Sequence, residues 1–563
     1  MAKKKVIEEL QSADKQHSQR TERYIRQVDI LYRKAVEEIT KLAGRVKGLK
    51  EGETFSFDKT TSVDKDVEQC LKNLCSQIKA VVEKGEKGEW YGACDKNDKF
   101  IASVLSASKL KKSTLQRYQN RNLEALSAFQ ERKVDGLGLS DRIWKYVKNT
   151  KNEIELAIDT SKIEISLGSG TSAAALSRDV RSCLVHPDKL FRRVRDKYGN
   201  LQLSKAASLY HPGQGVYRSS YKNAMRLART EINIAYRQSD YLRWQQLDFV
   251  VGIQVETSNN HTAEDADGKG RHQIVDICDA LAGKYPKDFK FVGWHPQCKC
   301  HATPILKSLD EIEQEVDEDG NYKQMPSADE VNDVPDNFKK YIADNAERID
   351  GWSSVPYYIK DNPQYVDEII VEAEKKINGR KIKNFGAGDE KPVNTTGQFV
   401  EISKEEIVSR LEKLNENYTH EVAYVILQDG RTYCKSGAKD VVNFSKLECS
   451  FFRDGVLYHN HPKDTLSPHD VIFAVRHKLS EIKVIAPDAE YSAKLTDETF
   501  SFSDKSFDEL YSIYDKIGDR ICESMKGMNS KDYSKALSRF DETNLQDFCK
   551  LMGIVYAKKI KQN

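Results

Sequence analysis

One stretch, residues 221–306, constrains this chain more than any other. It opens with YKNAMRLARTEINIAYRQSDYLRWQQLDFVVGIQV and closes with DICDALAGKYPKDFKFVGWHPQCKCHATPIL. Leu227, Ile234 and Tyr241 recur at heptad spacing, with Ala224, Ala228 and Ala235 beside them, so the pattern predicts a helix with one apolar stripe. Residues 249–255 are short, apolar and β-branched, which predicts a buried strand. A polar loop follows, then a short helix carrying Cys278, then HPQCKC. Glu231 falls one turn after Leu227, on the side of the stripe, where a carboxylate is either paired or catalytic. Arg226 and Arg229 are the cations closest to it in sequence and suggest polar anchoring. Cys298 and Cys300 point to the same side of an extended backbone. With Cys278 and His295 they make a candidate tetrahedral zinc set, because zinc takes thiolate and imidazole ligands. The C-x-C spacing differs from the C-x2-C of most structural zinc sites, so a disulfide or two buried thiols stays open. His272 and His301 are spare candidate donors.

The order of these pieces resembles the phage Mu F-like minor head (head morphogenesis) protein family. That family shows an Arg-Thr-Glu helix, a Cys followed closely by Gly, and a terminal His-Pro-x-Cys-Arg/Lys-Cys. Here those are Arg229-Thr230-Glu231, Cys278 to Gly283, and His295-Pro296-Gln297-Cys298-Lys299-Cys300. The resemblance implies a virion head protein at the portal, acting in capsid assembly and DNA packaging or delivery. Its partners would be portal and capsid proteins and packaged DNA, and it would assemble in the host cytoplasm.

At 563 residues the chain exceeds a single core, and two to four domains are expected. The composition, 31% charged and 39% hydrophobic, fits a helix-rich soluble protein, and no apolar run is long enough to span a membrane. MAKKKVIEEL has the basic residues of a signal peptide but no apolar core behind them, so secretion by one is not expected. An odd number of scattered cysteines, eleven in all, suggests reduced thiols in a cytosolic compartment. A net charge of +2 excludes a chain that is basic throughout, so any nucleic-acid contact must be local.

Residues 1–160 read as helix, through Ile30, Leu31, Ala35, Ile39 and Leu42 and again through Cys70, Leu71, Leu74, Ile78 and Val82. Glycine-rich breaks are expected at residues 84–92 and 135–139. Without a sustained heptad, a helical bundle is favoured over a long coiled coil. Ser172 or Ser177 is a candidate cap for a helix that follows GSGTSAAAL. Lys189, Arg192, Arg193, Arg195 and Lys197 form a basic cluster that could meet phosphates or an acidic partner; the plainer alternative is a solvated helix face. Residues 307–344 hold 12 acidic residues against four lysines, and residues 376–398 read as a linker ending in a boundary near Phe399.

Beyond that boundary the pattern changes. A helix leads to HEVAYVILQDGRTYCKSG, where Asp429-Gly430 marks a hairpin between two strands. A strand then ends in His459-Asn460-His461-Pro462, and a helix starts near Pro468 after Ser467. His-x-His at a strand end puts both imidazoles on one side, and Asp470 in the next helix can complete a three-ligand zinc site with an open position. Glu421, on an upstream strand, is the natural general base. The tail, residues 506–563, reads as helix with a frayed basic end.

Residues 418–497 resemble the JAB/MPN metalloproteases, and most closely their RadC-like branch, with Glu on an early strand, then His-x-His-Pro, then Ser-x-x-Asp. The resemblance implies Glu421 as base, His459, His461 and Asp470 as zinc ligands, and Ser467 as oxyanion support. Only five residues separate His461 from Ser467, fewer than the family usually has, so Asp470 could be tilted out of reach. Active hydrolase, metal-binding but inactive domain, and metal-free relic are all open.

The expected fold is therefore α+β and multidomain. A helical portal- or capsid-contacting region spans 1–160, a mixed Mu F-like core 161–306, and an acidic segment and linker 307–398. An α/β JAB/RadC-like domain spans 399–500, with C-terminal helices over 501–563. The reading from another class is a free-standing zinc metallo-hydrolase, a peptidase or isopeptidase, with a helical targeting region.

Overall fold

A computed structural model describes residues 2–46, 55–105, 111–134, 136–160, 173–187, 193–195, 201–203, 216–258, 262–264, 271–273, 276–315, 323–352, 354–383, 397–416, 420–437, 441–461, 466–503 and 505–561. The class is α+β, with helices dominating the N-terminal half. The chain divides into two compact units, 1–333 and 334–563. The sequence suggested a boundary near Phe399. The structure divides earlier because helices Asp336–Asp350 and Pro363–Lys383 are bound to elements beyond 399. Asp350 accepts the Lys446 N–H at 2.9 Å, and Asp367 pairs with Arg431. Residues 376–383, expected in a linker, are helical.

In the first unit, helices Ala2–Ala43 and Thr61–Leu105 pack on each other and on helix Ser220–Gln245. Val28, Tyr32, Val36 and Ile39 face Val67, Leu71, Leu74, Ile78 and Val82 in one apolar core. Ile30, expected on this face, is half exposed. The glycine-rich stretch at residues 84–92 does not break the Thr61–Leu105 helix as expected. Glycine there weakens a helix by about 1 kcal/mol per residue relative to alanine. The structural reason is close approach. A Cβ on Gly85 would lie 2.6 Å from Ile232, and one on Gly88 would lie 2.5 Å from the Tyr24 hydroxyl.

The Ser220–Gln245 helix is buried around most of its girth, not along a single stripe. Leu227, Ile234 and Tyr241 are only part-buried, while Ala224, Ala228, Ile232 and Ala235 are fully buried. Small residues admit the flanking helices, and apart from Met225 most of the remaining buried positions carry polar groups. Lys96 meets Asp240 at 2.6 Å, Asn97 donates to Asp240 at 2.7 Å, and His17 contacts Glu89 at 2.7 Å while stacking on Tyr236.

Strands β1 (Arg193–Arg195) and β2 (Leu201–Leu203) form a two-stranded ladder. Arg193 and Arg195 therefore sit in a strand, not on a solvated helix face, whereas Lys189, Arg192 and Lys197 lie outside the described residues. Ser177 lies inside helix Ala173–Val185, buried, and does not cap it; Ser172 lies outside the described residues. Strand β3 (Val250–Glu256) is central in a three-stranded sheet. Two-stranded β4 (Thr262–Glu264) and β5 (Arg271–Gln273) follow, then β6 (Gly283–Tyr285) and β7 (His301–Leu306), which flank β3 antiparallel.

The second unit holds a seven-stranded sheet. Its strands are β8 (Gln398–Val400), β9 (Val422–Ile426), β10 (Thr432–Ser436), β11 (Val456–Asn460), β12 (Glu481–Ile485), β13 (Ala489–Lys494) and β14 (Val555–Ile560). The order is β14-β13-β12-β11-β9-β10-β8, and only β11 and β12 pair parallel, as their crossover through helix Pro468–His477 requires. Gly430, at φ +88, makes the β9–β10 turn that Asp429-Gly430 predicts. The tail is helical only to Leu551. Of its basic end, residues 558–560 are not frayed but belong to the edge strand β14, whose partner along its length is β13.

Candidate metal centres

Among the described residues, two sets of side chains converge as metal ligands do, one in each unit.

In the second unit, β11 is flanked by β9 and β12, with His459 opposite Ala423 and Val484. The two-residue side-chain period of a strand sends His459 and His461 to one side and Asn460 to the other. The Nε2 atoms of the two histidines are 3.1 Å apart. Asn460 turns away and fixes the strand ends, accepting the Val422 N–H at 2.8 Å and donating to Asn415 at 3.2 Å. Neither asparagine was singled out from sequence, because an amide beside two histidines carries no signal until its backbone partners are known.

Ser467 caps helix Pro468–His477, and Asp470 completes a capping box. The carboxylate does two jobs on two oxygens. Oδ2 accepts the Ser467 N–H at 2.9 Å and the Ser467 hydroxyl at 2.6 Å, while Oδ1 lies 3.2 Å from His459 Nε2. The short loop before Ser467 thus leaves Asp470 within reach. His461 Nε2 is 3.7 Å from Asp470 Oδ2 and 3.7 Å from Glu421 Oε1. Burial opposes a charged His459, but the carboxylates of Asp470 and Glu421 outweigh it and hold its pKa above the ordinary value. Burial likewise opposes ionised Asp470, and His459 outweighs it, holding that carboxyl well below its usual range.

This donor set fits zinc. Zinc–nitrogen and zinc–oxygen bonds of about 2.0–2.2 Å in a tetrahedron set ligand atoms roughly 3.3 Å apart. His459–His461 and His459–Asp470, at 3.1 and 3.2 Å, are close to that spacing. Glu421 is buried beside the set, 3.7 Å from His461. The Ser467 hydroxyl donates to Asp470, so in this arrangement the serine holds that carboxylate. His459 Nδ1 is buried without a partner among the described residues, so its tautomer is not set by a second group. His469 lies outside the set, against Phe507 and Tyr511.

In the first unit, the thiols of Cys278, Cys298 and Cys300 converge, all buried. Cys278 stands in helix Ile277–Ala280, which Asp276 caps. Cys298 and Cys300 precede β7. His295 Nε2 lies 3.1 Å from Cys278 Sγ, and Asp276, Cys278 and His295 form a second overlapping group. His301 stands apart, 3.3 Å from Glu256, and the side chain of His272 lies outside the described residues. The disulfide alternative is not realised: all eleven cysteines are free thiols.

The Arg-Thr-Glu triplet packs beside this group. Gln297, at φ 64, donates its N–H to Thr230 Oγ1 at 3.1 Å, and Arg229 donates to the Gln297 side chain. Arg229 also pairs with Glu22. Glu231 is paired, but not with the arginines beside it in sequence. Its partners are Arg132 at 2.7 Å and Arg142 at 2.8 Å. The Arg226 carbonyl instead accepts the Thr230 hydroxyl.

Searches of protein families, of curated proteins and of solved structures find no match to this chain.

Proposed function

We propose that the C-terminal unit is a zinc-dependent hydrolase of amide bonds, of the JAB/MPN, RadC-like kind, carried by a phage minor head protein. The observation that carries the hydrolase reading is the convergence of His459, His461 and Asp470, with Glu421 3.7 Å from His461. When bound, zinc at such a site polarises a carbonyl and lowers the pKa of a water at its open position. The remaining work belongs to the chain. His459 and His461 would present their Nε2 atoms from the end of one strand, and Asp470 would supply the third ligand while Ser467 holds its carboxylate. Glu421 takes a proton from the attacking water and returns it to the leaving amine.

The head-protein reading rests on the order of the Arg-Thr-Glu helix, Cys278 to Gly283 and HPQCKC. Its physical support is that the Arg-Thr-Glu helix meets the HPQCKC loop through Thr230, Gln297 and Arg229, and that Cys278 meets His295 of the same loop. Portal and capsid proteins are the proposed partners, the virion head the proposed location, and packaged DNA a candidate ligand of the basic cluster at residues 189–197. Among the described residues no helix is long and apolar enough to cross a membrane.

The test is cleavage of a peptide and isopeptide panel by the zinc-loaded full chain. Turnover is expected, lost on chelation and lost in Glu421→Gln while zinc is retained. Turnover unchanged in Glu421→Gln would overturn the assignment of the base. Association of the chain with purified heads tests the second part, and a chain found only free would contradict it.

A further inference from the structure

The hydrolase reading leaves the buried thiol group of the first unit unused, and that group has features a set of inert core cysteines does not need. Three sulfur atoms lie within 4.8 Å of one another, drawn from two segments about twenty residues apart. A tetrahedral zinc with bonds to sulfur of about 2.3 Å sets its sulfurs roughly 3.8 Å apart. Cys278 and Cys298 are 3.9 Å apart, nearly twice the bonded distance of about 2.0 Å in a disulfide.

The surroundings favour negative charge on sulfur. Arg237 donates to the Val292 carbonyl at 2.9 Å, to that of Cys298 at 2.6 Å and to that of Cys300 at 2.7 Å. Its guanidinium reaches them because Gly293, at φ +121, leaves room; a Cβ there would lie 2.6 Å from Arg237. Three thiolates this close repel one another, and a bound cation is what lets them ionise together.

His295 is oriented as a ligand. Its Nδ1 faces the Pro296 carbonyl at 2.8 Å, which places the proton there and leaves the Nε2 lone pair toward Cys278.

We propose that Cys278, Cys298, Cys300 and His295 hold a structural zinc ion that fastens the Cys278 turn and the 295–300 loop to the Ser220–Gln245 helix. On binding, the thiol protons leave to solvent and no redox change occurs. The ion fixes the loop that presents Gln297 to Thr230 and Arg229. This site stands independently of the hydrolase reading.

The test uses the full chain carrying His459→Ala and His461→Ala, stripped of metal and offered cobalt(II). Thiolate ligation gives a near-ultraviolet sulfur-to-cobalt charge-transfer band that histidine and carboxylate ligands do not give, so the two sites are read apart. The band is expected, displaced by zinc, and lost when Cys278→Ser and Cys298→Ser are added. His295→Ala keeps the band at weaker affinity. Because the serine variants could fail to fold, the unsubstituted chain gives a second readout: zinc should protect Cys278, Cys298 and Cys300 from alkylation, mapped by mass spectrometry. Cobalt bound without the band, or alkylation of the three thiols unaffected by zinc, would overturn the proposal.

Discussion

At the scale of single residues, the C-terminal site depends on the two-oxygen arrangement of Asp470. Ser467 holds one oxygen and leaves the other facing His459, free for the proposed zinc. Ser467→Ala should therefore weaken zinc binding by about 10–100-fold, as loss of a group behind a ligand does. The accompanying loss of a cap costs only about 1 kcal/mol, so the unit should stay folded. Competition titration with a chromophoric chelator measures this, and unchanged affinity would show that Asp470 needs no such support. The raised pKa of His459 gives a pH dependence of known sign. A ligand must be neutral to bind zinc, so zinc affinity should fall as pH drops, starting above the ordinary histidine value. A fall confined to pH below the ordinary value would contradict the proximity of Asp470 and Glu421.

At the scale of elements, Glu231 ties the Ser220–Gln245 helix to Arg132 and Arg142. Glu231→Gln leaves two guanidinium groups in a largely buried place without their counter-charge, and should destabilise the first unit by about 3–5 kcal/mol. Denaturant unfolding measures it. Glu86, on the Thr61–Leu105 helix, is fully buried, and burial together with the charge of Glu231 pushes its pKa up to about 8. The folded state therefore favours its protonated form. That contribution is complete below the ordinary carboxylate pKa and is lost as pH rises toward about 8. Glu86→Gln should remove this slope and stabilise the first unit at pH 8 by on the order of 2 kcal/mol. Melting temperatures across pH 5–9 check it, and equal slopes in the two proteins would contradict it.

Much of the second site was legible in the sequence because its signals are local. His459 and His461 lie two apart on a strand, and Ser467 and Asp470 three apart at a helix start, so strand and cap geometry fix their directions. What was not legible is long-range. Glu231 finds its partners some 90 to 100 residues away, and no spacing rule reaches that far. The glycines at 85 and 88 read as breaks, since their value lies in Ile232 and Tyr24 on other helices. Strand β14 holds Lys558 and Lys559 and has an exposed edge, so only its pairing with β13 reveals it.

At the scale of the whole molecule, the division at residue 333 changes which piece can be studied alone. A fragment starting at 399 omits helices Asp336–Asp350 and Pro363–Lys383, and with them the contacts of Asp350, Asp367 and Glu374 to the sheet-bearing part. A fragment of residues 334–563 should unfold cooperatively, whereas 399–563 should lose stability or aggregate through the apolar surface those helices cover. The two units, each with its own donor set, predict separable metal chemistry: a site with nitrogen and oxygen ligands beside a carboxylate base, and a site dominated by sulfur.

The most direct measurement is zinc content of the full chain, purified without chelator and offered zinc, beside a His459→Ala, His461→Ala variant. About two zinc ions per chain are predicted, falling to about one in the variant. Zinc content unchanged by the histidine substitutions, or no zinc in either protein, would contradict the metal site on which the hydrolase reading depends.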